Sequence, residues 1–275
     1  MRYLREHDVR VLEVNQPHEH TRRRRGESDS IDAEMAARLA LSGKATATPK
    51  QTDGIVESIR LLCVARESAV KSRAAATVQL GAVIITAPQE LREELARRKS
   101  LRGKAALCRR WRPASHELAK PIHAAKFALR SIARRISALD EEIAHLDRQL
   151  DELVRTAAPR TIALLGVSTG HAGRLLISAG ENIERLHSEA SFAALCGASP
   201  VPASSGKTTR HRLNYGGDRQ ANRTLHLIAV CRLRYCQRTR AYAQRRTAEG
   251  KTKREEVVPF VVEVRDGGPG VIVTQ

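Results

Sequence analysis

The chain has 275 residues, with 48 Lys and Arg against 30 Asp and Glu, which gives a formal net charge of +18. Such a charge favours a polyanionic partner. No apolar run reaches the roughly 18 residues of a membrane-spanning helix, so the sequence predicts nucleic acid as the partner and no membrane. The first residues contain no signal-peptide pattern, which predicts a cytoplasmic protein.

Aromatic residues make up 3% of the chain, so base stacking is not expected to carry recognition. The five cysteines form no CxxC pair, and none has a histidine at zinc-ligand spacing. We therefore expect reduced, mostly buried thiols rather than a metal site.

A short β-branched run from Val9 to Val14, ending before Pro17, predicts one strand of a buried sheet. Almost everything after residue 30 has helical periodicity, so this strand is either an edge or has lost its sheet on the N-terminal side. Ser28 is expected to cap a helix that runs to Gly43. Residues 44–53 are polar and predict a linker.

Two long helices are predicted next. The first runs from about residue 54 to 85, after which Thr86 is expected to cap a new helix with Pro88 in its first turn. The second carries four heptads of a/d spacing, which favours a coiled coil over a simple amphipathic helix. Its partner is either the 54–85 helix folded back as a hairpin or the same helix of a second subunit. The a/d positions are Ala125, Leu129, Ile132, Ile136, Leu139, Ile143, Leu146, Leu150 and Leu153.

A glycine turn follows at residues 164–172, with Gly166 and Gly170 between short helices. Such a turn is found in helix-hairpin-helix motifs, where backbone N–H groups bind phosphate. A plain connection between two helices explains the same string equally well.

Two acidic residues, Asp29 and Asp32, lie three positions apart at the start of the helix that Ser28 caps. They project from nearly the same face and could hold Mg²⁺ through oxygen ligands. Acids in a first helical turn also stabilise the helix dipole without any other role. Two-metal chemistry on DNA would need further carboxylates.

Ser204 and Ser205 precede Gly206 and Lys207 in a loop among basic residues. A serine hydroxyl in such surroundings could attack a phosphodiester, with the basic groups stabilising charge on phosphorus. A flexible Ser-Ser-Gly turn is the alternative interpretation.

From Lys207 to Arg254 there are fourteen Lys or Arg and two acids, Asp218 and Glu249. Helical spacing from about Arg219 to Arg234 places apolar residues on one face and arginines on the other. Because like charges at helical spacing repel, this pattern predicts a phosphate-binding face. The predicted members of this phosphate-binding face include Lys207, Arg210, Arg212, Arg219 and Arg223. The apolar face of the same predicted helix is formed by Leu225, Ile228, Ala229 and Leu233.

Several separated motifs together resemble the DEDD transposases of the "IS one-ten" insertion sequences, in that family's order from about residue 3 to 254. The end of that family's catalytic domain is similar to residues 11–17, the arginines at positions 22–25 and residues 27–33. Residues 192–200 (FAALCGASP), 204–206 (SSG) and 213–222 (LNYGGDRQAN) resemble the C-terminal transposase domain. The arginines are Arg22, Arg23, Arg24 and Arg25, which we add to the predicted nucleic-acid-binding residues.

The resemblance implies an RNase H-like domain of the resolvase type, a coiled-coil dimerisation region and a domain with a nucleophilic serine. It implies strand cleavage and joining of DNA with Mg²⁺, guided by a structured RNA of the element. On this view Asp29 and Asp32 are the last two acids of the DEDD set. Ser205 is then the expected nucleophile and Ser204 the second choice.

The chain departs from the family at both ends. The first Asp and the Glu of the acid set have no counterpart after Met1, so we expect an N-terminally truncated, catalytically incomplete protein. After residue 254, Glu255 and Glu256 lead into an unrelated tail where the family continues as a basic helix.

The predicted fold is mainly α. We expect a remnant of an RNase H-like α/β domain (1–53), a long helical hairpin or coiled coil (54–157), a small helical transposase domain (158–256) and an irregular tail (257–275). A homo-oligomer formed through residues 125–153 is expected. The alternative function is a non-catalytic, dimeric nucleic-acid-binding protein.

Overall fold

The computed structural model describes residues 2–14, 28–199, 201–203, 211–212, 214–249, 262–264 and 271–273. Within these ranges the chain is mainly helical, as predicted. The helices are α1 (Arg2–Glu6), α2 (Asp29–Leu41), α3 (Ile55–Thr86), α4 (Gln89–Ala96), α5 (Leu101–Arg110), α6 (Pro121–Ala157), α7 (Pro159–Ile162), α8 (Thr169–Ala179), α9 (Glu189–Leu195), α10 (Arg219–Tyr235) and α11 (Gln237–Ala248). The strands are β1 (Val201–Pro202), β2 (His211–Arg212), β3 (Val262–Val264) and β4 (Val271–Val273).

The chain divides into two compact units. Residues 59–153 form the inserted unit, and residues 1–58 with 154–275 form the flanking unit. No helix in the described part of the chain is long and apolar enough to cross a membrane.

In the inserted unit, α3 and α6 pack antiparallel. Arg66 pairs with Asp147, and Arg73, seven residues further along α3, pairs with Asp140, seven residues back along α6. Such exposed pairs contribute only about 0–1 kcal/mol each, so they report the register of the two helices rather than create it. The register comes from the apolar side chains between them.

In the inserted unit, four helices share a buried hydrophobic cluster. Small and branched residues of α3 face those of α6, and α4 and α5 close the cluster with Leu95 and Cys108. Burial raises the pKa of the Cys108 thiol to about 11, so it remains neutral at physiological pH. The buried α3 and α6 members are Ala76, Leu80, Ile84, Leu129, Ala133 and Ile136.

The a/d positions predicted on α6 therefore have a partner inside the chain. Leu129, Ile136 and Leu150 are buried, whereas Leu139 and Leu146 are only half-buried. Of the two partners that the sequence left open, helix α3 is the one that occupies this face. Association of two subunits through residues 125–153 remains a prediction. It is supported by the half-buried positions Leu139 and Leu146, which leave apolar surface uncovered.

Lysine at both Leu139 and Leu146 is expected to break the association, because it places charge on half-buried apolar positions. Sedimentation velocity would show a shift to the monomer. A matched control is Val78→Lys, since Val78 is 73% exposed on α3. An unchanged sedimentation profile for a folded Leu139→Lys, Leu146→Lys protein would show that α6 packs only inside its own chain.

The polar segment before α3, predicted as a linker over residues 44–53, is bonded to the region that follows α8. Asn182 donates from Nδ2 to the carbonyl of Pro49 at 3.1 Å and accepts from the Gln51 N–H at 2.8 Å. Lys50 donates to the carbonyl of Ile177 at 3.0 Å. Glu181 accepts from the Val56 N–H at 2.6 Å, at the start of α3. The segment is thus pinned to the end of α8 by side chains more than a hundred residues away.

The N-terminal region departs from expectation. The strand predicted over residues 9–14 is wrong, because β-pairing in residues 2–14 and 28–53 is limited to a bridge between Glu13 and Ala47. A β-branched run becomes a strand only where a second strand satisfies its backbone groups. Ser28 does cap α2, as predicted, by accepting from the Ile31 N–H at 3.5 Å.

Two other local predictions differ from the structure. Thr86 ends α3 and donates its hydroxyl back to carbonyls of that helix, so Pro88, not Thr86, holds the N-cap position of α4. In the segment predicted as an irregular tail, β3 and β4 pair antiparallel with Glu263 opposite Ile272.

Candidate nucleic-acid interface

The predicted nucleophiles lie between two paired strands. Strands β1 and β2 are antiparallel, with Val201 opposite Arg212 and Pro202 opposite His211. The intervening residues include Ser204, Ser205, Lys207 and Arg210, which fall outside the described residues. The pairing therefore defines where the segment leaves and rejoins the described fold. Arg212, on β2, is exposed.

The strands are followed by a tight turn that is held against the end of α9. The Asp218 N–H donates to the carbonyl of Leu195 at 2.7 Å, and Asn214 donates from Nδ2 to Ala194 at 3.3 Å. Asn222, one turn into α10, donates to the carbonyl of Cys196 at 3.1 Å. These bonds attach the residue 214–222 motif to the residue 192–197 motif.

Two glycines allow this approach. Gly197 has φ of +65°, in the left-handed region that favours glycine. A side chain at Gly217 would overlap the backbone nitrogen and Cα of Gly197. The nearby Cys196 thiol is buried, which raises its pKa to about 12, so it is no candidate nucleophile at neutral pH.

Asp218 joins three elements of the flanking unit. Its carboxylate caps α10 by accepting from the N–H groups of Gln220 at 2.8 Å and Ala221 at 3.1 Å. It also accepts from the Ser178 hydroxyl of α8 at 2.6 Å. Burial alone would raise the pKa of Asp218, but these three donors and the charge of Lys50 lower it below its ordinary value. Asp218 is therefore ionised at neutral pH.

The sequence analysis identified Asp218 as one of two acids in a basic stretch and as part of the residue 213–222 motif, without assigning it a role. Its position directly before α10 was the available signal, because Asp is a preferred N-cap residue. The bond to Ser178 has no such signal, since it joins residues 40 positions apart.

Helix α10 has the two faces that its spacing predicts. Leu225, Ile228 and Ala229 are buried and Leu233 is half-buried, and the helix packs against α8. Arg219 and Arg223, predicted to bind phosphate, are exposed on the other face.

Exposed arginines continue onto α11. Arginines there and at the end of α10 were counted in the basic stretch but not singled out. None of the face's arginines makes an ion pair with a carboxylate of a described residue. Uncompensated cations on one face are the electrostatic feature that binds phosphate. We call this set the α10–α11 basic face: Arg219, Arg223, Arg234, Arg238, Arg240 and Arg245.

The glycine turn before α8 has a clear packing role. Gly166 has φ of +88°, and a side chain there would approach the Ile228 carbonyl of α10 at 3.2 Å. At the start of α8, Ser168 accepts from the His171 N–H at 3.2 Å, and the His171 ring contacts the Ser168 N–H in return. Gly170 is exposed in the same turn. Two of the backbone N–H groups that a helix-hairpin-helix turn would offer to phosphate, those of Ser168 and His171, thus already have partners within the chain.

Asp29 and Asp32 lie in the first turn of α2, where Asp29 is exposed and Asp32 half-buried. Among the described residues, no group of three or more His, Cys, Asp or Glu side chains could hold a metal ion. Two acids on one helix do not supply the ligand set that a two-metal site requires. The described residues therefore supply two of the required carboxylates, and Mg²⁺ binding by this pair stays a prediction. Arg22, Arg23, Arg24 and Arg25 lie outside the described residues.

Residues 162–244 match the profile of the Transposase IS116/IS110/IS902 family. The match covers less than a third of the chain. It begins at the end of α7, ends within α11, and includes the Ser204–Ser205 segment, the glycine pair and most of the α10–α11 basic face. It does not include Asp29 and Asp32. No curated protein matches the chain.

Proposed function

We propose that this chain is a transposase of an insertion sequence, which acts on DNA through its flanking unit. The observation that carries the proposal is that the matched segment, residues 162–244, includes the serine segment and, after it in the sequence, most of the exposed arginines of the α10–α11 basic face. A protein that acts on DNA needs such a face to bind the phosphate backbone.

We assign Ser205 as the nucleophile toward a phosphodiester, with Ser204 as the second choice. Arg212 and the α10–α11 basic face would stabilise negative charge on the bound backbone. Asp29 and Asp32 are proposed as the matching members of a larger acid set. The expected partners are DNA, a structured RNA of the element and a second copy of the chain.

The alternative function is a non-catalytic, dimeric protein that occupies nucleic acid. It is favoured by one observation, the absence of a third metal ligand beside Asp29 and Asp32 among the described residues. Both functions require the same basic face, so binding tests the part that they share.

Binding of duplex DNA is expected to weaken steeply as salt rises, because bound arginines release counterions from phosphates. Replacing Arg219, Arg223, Arg238 and Arg240 with Gln should make the slope of log K against log [salt] less steep by about 2 to 4. Fluorescence anisotropy across a salt series measures this slope.

A matched control keeps the charge change within the flanking unit but uses compensated cations. Arg5 pairs with Asp53 and Arg38 with Glu34, so Arg5→Gln with Arg38→Gln should leave the slope nearly unchanged. It is compared with Arg219→Gln plus Arg223→Gln, which removes the same charge. Affinity that hardly changes with salt, or equal slopes for both double variants, would contradict the proposed interface.

A further inference from the structure

Positive charge is unevenly placed in the inserted unit. Residues 59–153 contain 19 Lys and Arg and 11 Asp and Glu. Eight of those Lys and Arg, and none of the acids, lie within residues 97–112. The rest of the unit, with eleven of each sign, is neutral. We call residues 97–112 the basic segment; its cations are Arg97, Arg98, Lys99, Arg102, Lys104, Arg109, Arg110 and Arg112.

The fold turns these charges outward. On α5, Cys108 is fully buried, and Ala105 and Leu101, one and two turns earlier, pack against the same core. Seven of the eight cations are exposed and Lys104 is half-buried. Since the apolar positions of α5 face the core, its basic positions lie on the solvent side.

The basic segment is also held at both ends. Before it, Leu95 of α4 is fully buried. After α5, Trp111 donates from its indole N–H to Glu94 at 3.2 Å, which ties the end of the segment back to α4. Ser100 caps α5 by accepting from the Gly103 N–H at 3.1 Å. The cations therefore lie on an ordered surface, which lowers the entropic cost of binding.

None of the eight cations makes an ion pair with a carboxylate of a described residue. Elsewhere in the same unit, by contrast, Arg66 and Arg73 have carboxylate partners on α6. Eight uncompensated cations within 16 residues repel one another. A polyanion relieves that repulsion and releases counterions of its own.

We propose that the basic segment is a second nucleic-acid contact, separate from the α10–α11 basic face, which binds the phosphodiester backbone of a duplex. Trp111 is the only aromatic residue in the segment, and it is half-buried with its N–H already bonded. The surface therefore offers no stacking platform for unpaired bases. A duplex, which displays phosphates and hides its bases, is the ligand that this surface fits.

The test uses the full chain with Arg97, Arg98, Lys99 and Arg112 replaced by Gln. All four are exposed and lie outside the body of α5. The control variant replaces Lys71, Arg134, Arg135 and Arg148 with Gln; these are also exposed in the inserted unit, but outside the basic segment. Each variant loses the same charge. The probes are a random-sequence DNA duplex and an RNA duplex of equal length.

The segment variant is expected to lose on the order of tenfold in affinity, with a salt slope less steep by about 2 to 4, and the control to lose little. A loss with only one duplex identifies that nucleic acid as the ligand, and a loss with both identifies the shared backbone. Equal slopes for the segment and control variants would overturn the inference. The proposed function would stand in that case if the α10–α11 variant still lowers the slope.

Hydrogen exchange of the unmodified protein gives an independent readout that needs no variant. Amides of the basic segment should exchange more slowly when either duplex is bound. Unchanged exchange there, with protection of α10 and α11, would also overturn the inference.

Discussion

Replacing Gly217 with Ala is expected to destabilise the flanking unit by about 3 kcal/mol or more. The new methyl group would overlap the backbone nitrogen and Cα of Gly197, and backbone cannot move aside as a flexible side chain can. Relief of the overlap would separate the residue 214–222 motif from the end of α9. The bonds from Asp218 to Leu195 and from Asn222 to Cys196 would then be lost.

Gly216 supplies a matched control one residue away. A side chain there meets only the Asn214 Oδ1 at 3.5 Å, an ordinary contact. Gly216→Ala should therefore change stability by no more than about 0.5 kcal/mol. Equal stability of the two alanine variants would show that the glycine pair does not hold the motif.

Faster hydrogen exchange of the α8 and α10 amides would report the loss of stability in Gly217→Ala. Trp111, the single tryptophan, lies in the inserted unit, so its fluorescence reports that unit separately. We expect the unfolding transition followed by tryptophan fluorescence to be nearly the same in Gly217→Ala as in the unmodified protein. Loss of the tryptophan transition as well would mean that the two units do not unfold independently.

The chain alone is expected to form no covalent adduct with DNA in the presence of Mg²⁺ and the element's RNA. A serine can attack a phosphodiester only if its proton is removed and the leaving oxygen is stabilised. Asp29 and Asp32 match two members of the implied acid set, and no third ligand joins them among the described residues. A displacement of about 1 Å at such a site costs on the order of a hundredfold in rate.

The measurement is incubation with a donor–target DNA pair, followed by denaturing electrophoresis of any protein–DNA adduct. Arg38→Gln serves as a control variant remote from the predicted nucleophiles in sequence. An adduct that vanishes in Ser205→Ala would contradict the expected inactivity and confirm Ser205 as the nucleophile. Loss of the adduct only in Ser204→Ala would move that role to Ser204.

The sequence alone determined features that depend on neighbouring residues along the chain. Ser28 as a cap, α10 starting at Arg219, and Leu225 and Ile228 on its buried face all follow from side-chain type and helical spacing. The predicted helix over residues 54–85 is likewise one residue from the observed α3. Periodicity is a local property, so one chain read in order is enough to predict it.

Tertiary structure decided what depends on residues far apart. The α6 spacing left two partners open, and the register of Arg66 and Arg73 against α6 identified α3. Sequence periodicity predicts neither the hydrogen bond from Ser178 to Asp218 nor the close approach of Gly217 to Gly197. Each depends on two backbones being brought together by a core formed elsewhere, and that is why only the folded chain shows them.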